Sequence, residues 1–210
     1  LDGVSPLAPV YLFLNAFSIT PPDRERLHQR LAAEKACALW VYAPGFFDGD
    51  KADLKNIAAT TGMAVKAFDG VTSTGSAFML SGRWMNQDER YGEPLRLEPL
   101  FYIEDPDADV LCRFMPSGKS SVAMRSFETG WTSLFFADPA VTPELLREML
   151  LILEQQVYLR PAASDSADAA HINRDLLAVH GRRAGEREIS LGKLCDVEDL
   201  FDPAPRWSDT

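Results

Sequence analysis

Histidine and cysteine are scarce in this sequence, three of each in 210 residues. Cys37, Cys112 and Cys195 lie far apart and are odd in number. No two have the spacing of a metal or redox pair, which argues against a disulfide framework. Cys37 and Cys112 fall inside apolar runs and read as small core residues, which a reducing environment fits. Basic residues are also in deficit, 21 against 31 acidic, for a net charge of −10. Affinity for nucleic acid rests on Lys and Arg neutralising phosphates, so no nucleic-acid partner is expected. Arg182, Arg183 and Arg187 form the one basic knot, and a solvated turn accounts for it. Long apolar runs are missing too. The longest, near 145–153, is interrupted by Arg147 and Glu148 and is too short to span a bilayer, so no membrane partner is expected. No leader peptide is visible, yet the chain opens on Leu1 rather than Met. It therefore reads as a mature or excised segment, and its compartment stays open.

The rest of the composition is ordinary. Hydrophobic residues make up 46% and charged residues 25%, and the length suits one well-buried domain with at most a small appendage. The first third alternates. "PVYLFLNAF" (9–17) is a short apolar run suited to a buried strand. "SITPPDRERLHQRLAAEKA" (18–36) predicts a helix: Thr20 can cap it, the prolines can occupy its first turn, and Leu27, Leu31 and Ala32 share a face. "CALWVYAP" (37–44) predicts a second strand, "DKADLKNIAATTG" (50–62) a helix closed by Gly62, and "MAVKAF" (63–68) a third strand. Strand, helix, strand, helix, strand predicts a parallel sheet with right-handed crossovers.

Residues 69–98 are rich in Gly, Ser, Arg and Asp and carry little periodicity. Beyond them "PLFYIED" (99–105), "DVLCRFM" (109–115), "SSVAMRSF" (120–127) and "TSLFFAD" (132–138) predict strands joined by short turns. "TPELLREMLLILEQQ" (142–156) predicts an amphipathic helix, with Thr142 as cap, Pro143 first and Glu144 in the first turn. "VYLRP" adds a strand, and "ASDSADAA" (163–170) is a polar break. The expected organisation is therefore a domain over 1–162 and a small β appendage with an acidic tail over 163–210.

Chemistry is hard to assemble from these residues. "PSGKSS" (116–121) imitates the end of a phosphate-binding loop, but the pattern needs a glycine where Arg113 stands and a helix after the lysine. A hairpin turn is expected there instead. "GVTSTGS" (70–76) fits neither a dinucleotide fingerprint nor a nucleophile elbow and reads as a loop. Asp105, Asp107 and Asp109 have calcium-loop spacing, yet Val110 and Pro116 stand where such a loop wants Gly and Glu, so an acidic turn is expected. Of the histidines, His28 lies in a charged helix and reads as solvated, and His180 follows the apolar "LLAV". A nucleophile–His–acid set needs its nucleophile on a sharp strand-to-helix turn, and the Pro44-Gly45 corner offers neither Ser nor Cys.

"YLFLNAF" with its helix, followed by "LWVYAPGFFDGDKADLKNIAATTGM", resembles the flavodoxin-like domain that follows the catalytic barrel in family 42 β-galactosidases. That module is the β-galactosidase trimerisation domain of the class I glutamine-amidotransferase-like superfamily. "GWTSLFFADPAVTPELLREML" and "VYLRPA…HINRDLLAVHG…EISLGKLCDVEDLF" are similar to its end and to the short β segment beyond. The resemblance covers most of 9–202, and the order of its motifs carries it more than any single one. It implies a three-layer, mostly parallel flavodoxin-like sheet plus a small C-terminal β element. There are departures: active amidotransferases carry a cysteine at the corner that reads "APGFF" here, and neither a barrel nor the paired carboxylates of glycoside hydrolysis are present. In the family a strand and helix usually precede "YLFLN"; here only "LDGVSPLA" does.

The expected function is that of a non-catalytic accessory or oligomerisation module of a carbohydrate-active protein. Its expected partners are the missing catalytic domain of the parent chain and further copies of itself, with no cofactor and no metal. The alternative is a small hydrolase or transferase with its site at the carboxyl ends of the parallel strands, where open α/β sheets bind ligands. Asn15, Tyr42, Asp48 and Ser73 are the candidates for that site. A sugar-binding module would instead use exposed aromatics such as Trp84, Tyr91 and Trp131. Large apolar side chains in 78–102 make Trp84 and Tyr91 the candidate interface, unless the segment folds back over the sheet and buries them.

Overall fold

The computed structural model describes residues 8–49, 51–78, 90–91, 94–115, 117–160, 168–173, 176–181, 184, 187–192 and 196–201. Trp84 and Cys195 lie outside them. The chain forms two compact units, Leu1–Thr142 and Pro143–Thr210. The helix expected at 142–156 falls in the second of these units.

The first unit begins with β1 (Val10–Phe13), α1 (Pro21–Glu34) and β2 (Cys37–Val41). A two-stranded hairpin, β3 (Phe47–Asp48) and β4 (Lys51–Ala52), leads into α2 (Leu54–Thr61) and β5 (Val65–Ala67). Short strands β6 (Thr72–Ser73), β7 (Ser76–Phe78), β8 (Arg90–Tyr91) and β9 (Arg96–Leu97) precede β10 (Phe101–Ile103). Then come β11 (Asp109–Phe114), β12 (Ser120–Ser126) and β13 (Thr132–Phe136). The caps follow from the sequence. The Thr20 hydroxyl accepts from Asp23 N–H with prolines in the first turn of α1, Asp53 caps α2 through Lys55 N–H, and Gly62 closes α2 in the left-handed region.

The main sheet runs β1-β2-β13-β12-β11-β7-β8, with β10 pairing both β12 and β5. Only β1/β2 and β2/β13 are parallel; the other pairings in this sheet are antiparallel. The class is α/β, but the mostly parallel sheet expected from the sequence is corrected. The physical reason is loop length: β10 to β13 are joined by turns of a few residues, and a parallel return needs a crossover of a dozen or more. The third strand of the early alternation, β5, pairs antiparallel with β10 rather than extending the parallel ladder. The core of this unit centres on Trp40, Phe101, Phe114 and Phe135, with Leu27, Leu31 and Ile57 from the two helices. Trp40 stacks on Phe13 at 4.3 Å and its indole N–H donates to Ser133 Oγ at 3.1 Å, joining all three parallel strands.

The second unit holds α3 (Pro143–Ile152) and two small hairpin-like pairs. One joins β14 (Leu159–Arg160) to β17 (Glu188–Ile189); the other joins β15 (Ala169–Ile172) to β16 (Leu177–His180). Arg187 of the basic knot is ion-paired with Asp168. No helix among the described residues is long and apolar enough to cross a membrane.

Candidate functional site

The carboxyl ends of the parallel strands β1, β2 and β13 face the place where open α/β sheets hold ligands. The backbone there is strained at two non-glycine residues. Asn15, just past β1, has φ 54°, and Tyr42, just past β2, has φ 67°. Tyr42 N–H donates to the Phe136 carbonyl (2.7 Å), which extends the β2/β13 ladder by one residue before the chain turns. Gly45 then takes φ 68°, and its N–H reaches the Ala16 carbonyl at 2.7 Å. A Cβ at Gly45 would collide with Thr60 Oγ1 on α2, so the Pro-Gly corner is where the strand end is held close to the helix.

A sharp, strained turn at a strand end is the setting of a nucleophile elbow. The residue in the strained position here is a tyrosine, and its phenol is committed. The Tyr42 hydroxyl donates to the Pro99 carbonyl at 2.5 Å, and burial raises its pKa above the usual phenol value. The ring packs edge-on against Phe17 and tilted against Phe101. A neutral, donated phenol is a structural clamp on the 98–100 segment, not an attacking oxyanion.

The other expected site residues are dispersed. Asn15 is exposed. Asp48 is exposed on the β3–β4 hairpin, opposite Lys51. Ser73 sits half-buried in β6, its hydroxyl donating to the next carbonyl at 3.2 Å. No hydrogen bond among those described joins any of these three to Tyr42. Tyr91 is only 5% exposed, and Trp131 is buried between His28 and Phe127 in an aromatic stack. Neither offers a platform for a sugar ring. His28, read as solvated, is instead half-buried, with Nε2 2.9 Å from the Thr60 carbonyl, because the face of α1 that carries it packs toward α2.

Sequence reasoning passed over Asp138, two residues past β13 and only 3% exposed. Its carboxylate accepts from Gly75 N–H (3.1 Å), the Ser76 hydroxyl (2.9 Å) and Ala140 N–H (2.9 Å). The signal available was a carboxylate between a buried strand and a proline. Asp138 ties the start of β7 to the end of β13, and no histidine is among its three donors. Burial, with a lesser contribution from the Asp138 charge, pushes the thiol pKa of Cys112 up to about 12; Cys37 is raised to about 12 by burial alone. Both thiols are therefore poor nucleophiles near neutrality.

The motifs that imitated ligand loops are explained by contacts. The acidic turn closes on Arg125, whose guanidinium donates to Asp105 (3.0 Å), Asp107 (2.9 Å) and the Gly62 carbonyl (2.9 Å). The guanidinium thus satisfies two of the three aspartates of that turn. Gly118 turns the β11–β12 hairpin at φ 66°, and Lys119 lies over the Tyr102 ring with its ammonium toward Glu104. Among the described residues no group of three or more His, Cys, Asp or Glu could hold a metal ion. A depression of about 220 Å³ beside β1 and α1 is lined by Phe13, Ala16, Ser18, Ile19, Asp23, Arg26 and Leu27.

No family model and no curated protein matches the chain. Among solved structures, a β-galactosidase from Bacillus circulans sp. alkalophilus shares the fold, with a TM-score of 0.52 at 14% identity. The match covers 81% of this chain and 26% of that one. The chain therefore spans about a quarter of the length of the protein it matches.

Proposed function

We propose that this chain is a non-catalytic accessory and oligomerisation domain of a larger, glycoside-hydrolase-related, carbohydrate-active protein. Within that reading it is of the flavodoxin-like, three-layer β-galactosidase trimerisation type. Its partners are the catalytic domain of the parent chain and further copies of itself, and it holds no cofactor.

The observation that carries the reading is the match of most of this chain to a quarter of a β-galactosidase. The strand ends add support: the strained position that could present a nucleophile presents a tyrosine bound to a carbonyl. A hydrolase or transferase at the same ends has the buried Asp138 in its favour, but that carboxylate is filled by donors that organise the 74–76 and 138–140 turns. The test is deletion of 1–210 from the full gene product. The accessory reading expects subunit association to drop in light scattering while the remaining protein keeps its fold. Unchanged association would remove the oligomerisation role.

A further inference from the structure

Two of the three histidines in the chain stand on one hairpin of the second unit. β15 and β16 pair antiparallel, with Ala169 opposite His180, Ala170 opposite Val179, His171 opposite Ala178 and Ile172 opposite Leu177. Directly opposed residues share a face, and every second residue of a strand returns to it. One face therefore carries Ala170, Ile172, Leu177 and Val179, all half-buried except Ile172. The other carries Ala169, His171, Ala178 and His180, and all four are exposed. On that open face the two alanines stop at Cβ, so the imidazoles are the side chains that reach further. His171 and His180 are diagonal neighbours there, and diagonal positions lie about 7–8 Å apart, within reach of long side chains. No hydrogen bond or ion pair among the described residues holds either ring.

We propose that His171 and His180 chelate one divalent transition-metal ion across the β15–β16 hairpin. The ion is of the copper, nickel or zinc class, because imidazole suits those metals, whereas calcium and magnesium need oxygen ligands that this face does not carry. An imidazole nitrogen stands about 2.0–2.1 Å from a bound zinc. Two rings rooted on the diagonal can therefore turn toward one shared point above the alanines. Two nitrogens are fewer than the donors of a closed structural site, so water fills the remaining positions. The ion has a structural use. A two-stranded hairpin is marginally stable by itself, and an ion that binds only the folded hairpin stabilises it by mass action. The sequence expectation of no metal is revised at this hairpin alone, and the proposal goes beyond the accessory reading without resting on it.

The test titrates the 210-residue chain with copper(II), nickel(II) and zinc(II) salts by calorimetry, beside His171→Ala, His180→Ala and the double variant. Both positions are exposed, and circular dichroism checks that each variant folds. The wild-type chain should bind one ion above the background of the double variant, with copper bound tightest. Replacing even a hydrogen-bond partner of a metal ligand costs about 10–100-fold in affinity, so loss of either histidine should weaken binding at least about tenfold. The copper complex should show two coordinated imidazole nitrogens in electron paramagnetic resonance, and fewer in each single variant. Wild-type binding no tighter than that of the double variant, or a loss in just one of the single variants, would mean an adventitious ion only and overturns the chelate. Subunit association, read by the deletion experiment, is decided separately from either result.

Discussion

One sheet in this molecule contains two differently built halves. Its parallel half, β1, β2 and β13, is stitched by long crossovers and by side chains that tie it internally and to its surroundings: Trp40 to Ser133 across the strands, Tyr42 to Pro99 before β10, and His28 of α1 to Thr60 of α2. Its antiparallel half, β5, β7 and β10 to β12, is made by short turns and held at its rim by charge, with Arg125 gripping Asp105 and Asp107 and Lys66 paired with Glu104. Both halves feed the same buried core, Trp40 and Phe135 from the first and Phe101 and Phe114 from the second, but these ion pairs lie only at the rim of the second. Substitutions should therefore cost most in the first and least at the rim of the second.

The largest effect is expected at Trp40, fully buried in the middle of the parallel half. Trp40→Ala removes its packing and leaves Ser133 without its donor, and should cost about 3–5 kcal/mol in urea unfolding. A loss below about 1 kcal/mol would mean that this half is not the packing centre. Next comes the corner. Gly45→Val combines left-handed strain with a collision at Thr60 and should cost about 2–4 kcal/mol, whereas Gly49→Val, equally left-handed at φ 59° but with open space around it, should cost only about 1–2. Equal losses at the two glycines would show that the strand-to-helix contact contributes nothing.

In the antiparallel half, Arg125→Ala strips a 96%-buried Asp105 side chain of its cation, although that carboxylate keeps the Ala64 and Asp107 amides. The expected loss is about 1–2 kcal/mol, read from the shift of the urea midpoint. The smallest effect concerns pH. Glu34 is held below its ordinary value of 4.5 chiefly by the Tyr11 hydroxyl and then by Arg30, and Glu104 chiefly by Lys66 and then by Lys119. Depressed carboxylates contribute stability that is complete above the unfolded value and lost as pH falls through the folded one. Melting temperature should hold from neutrality to about pH 5 and decline below it, and Glu34→Gln should flatten part of that decline. A melting temperature that rises on acidification would contradict both assignments.

Much of the fold was legible because local chemistry is consistent with it. Thr20, the two prolines, Asp53 and Gly62 mark the ends of α1 and α2 in sequence and in space. The strands at 101–103, 109–114, 120–126 and 132–136 fall inside the predicted runs. Strand direction was not legible from the alternation of the first third, since β5 satisfies the same pattern whether it extends the parallel ladder or turns to meet β10. The site was less legible still. Periodicity places a residue on a face but does not report its partner, so Asp138 read as the end of a strand and His28 as a solvated helix residue. Tyr42 was singled out by position alone; neither its strained backbone nor its bond to Pro99, 57 residues away, shows in the local pattern.

Turnover by the purified chain tests the central claim most directly. Incubated with glutamine or with an aryl β-galactoside, the folded 210-residue protein should release product no faster than buffer, because the strained strand end presents a donated phenol and no acid pair. Hydrolysis that co-elutes with the protein and disappears in Tyr42→Phe or Asp138→Asn, with folding intact, would contradict it.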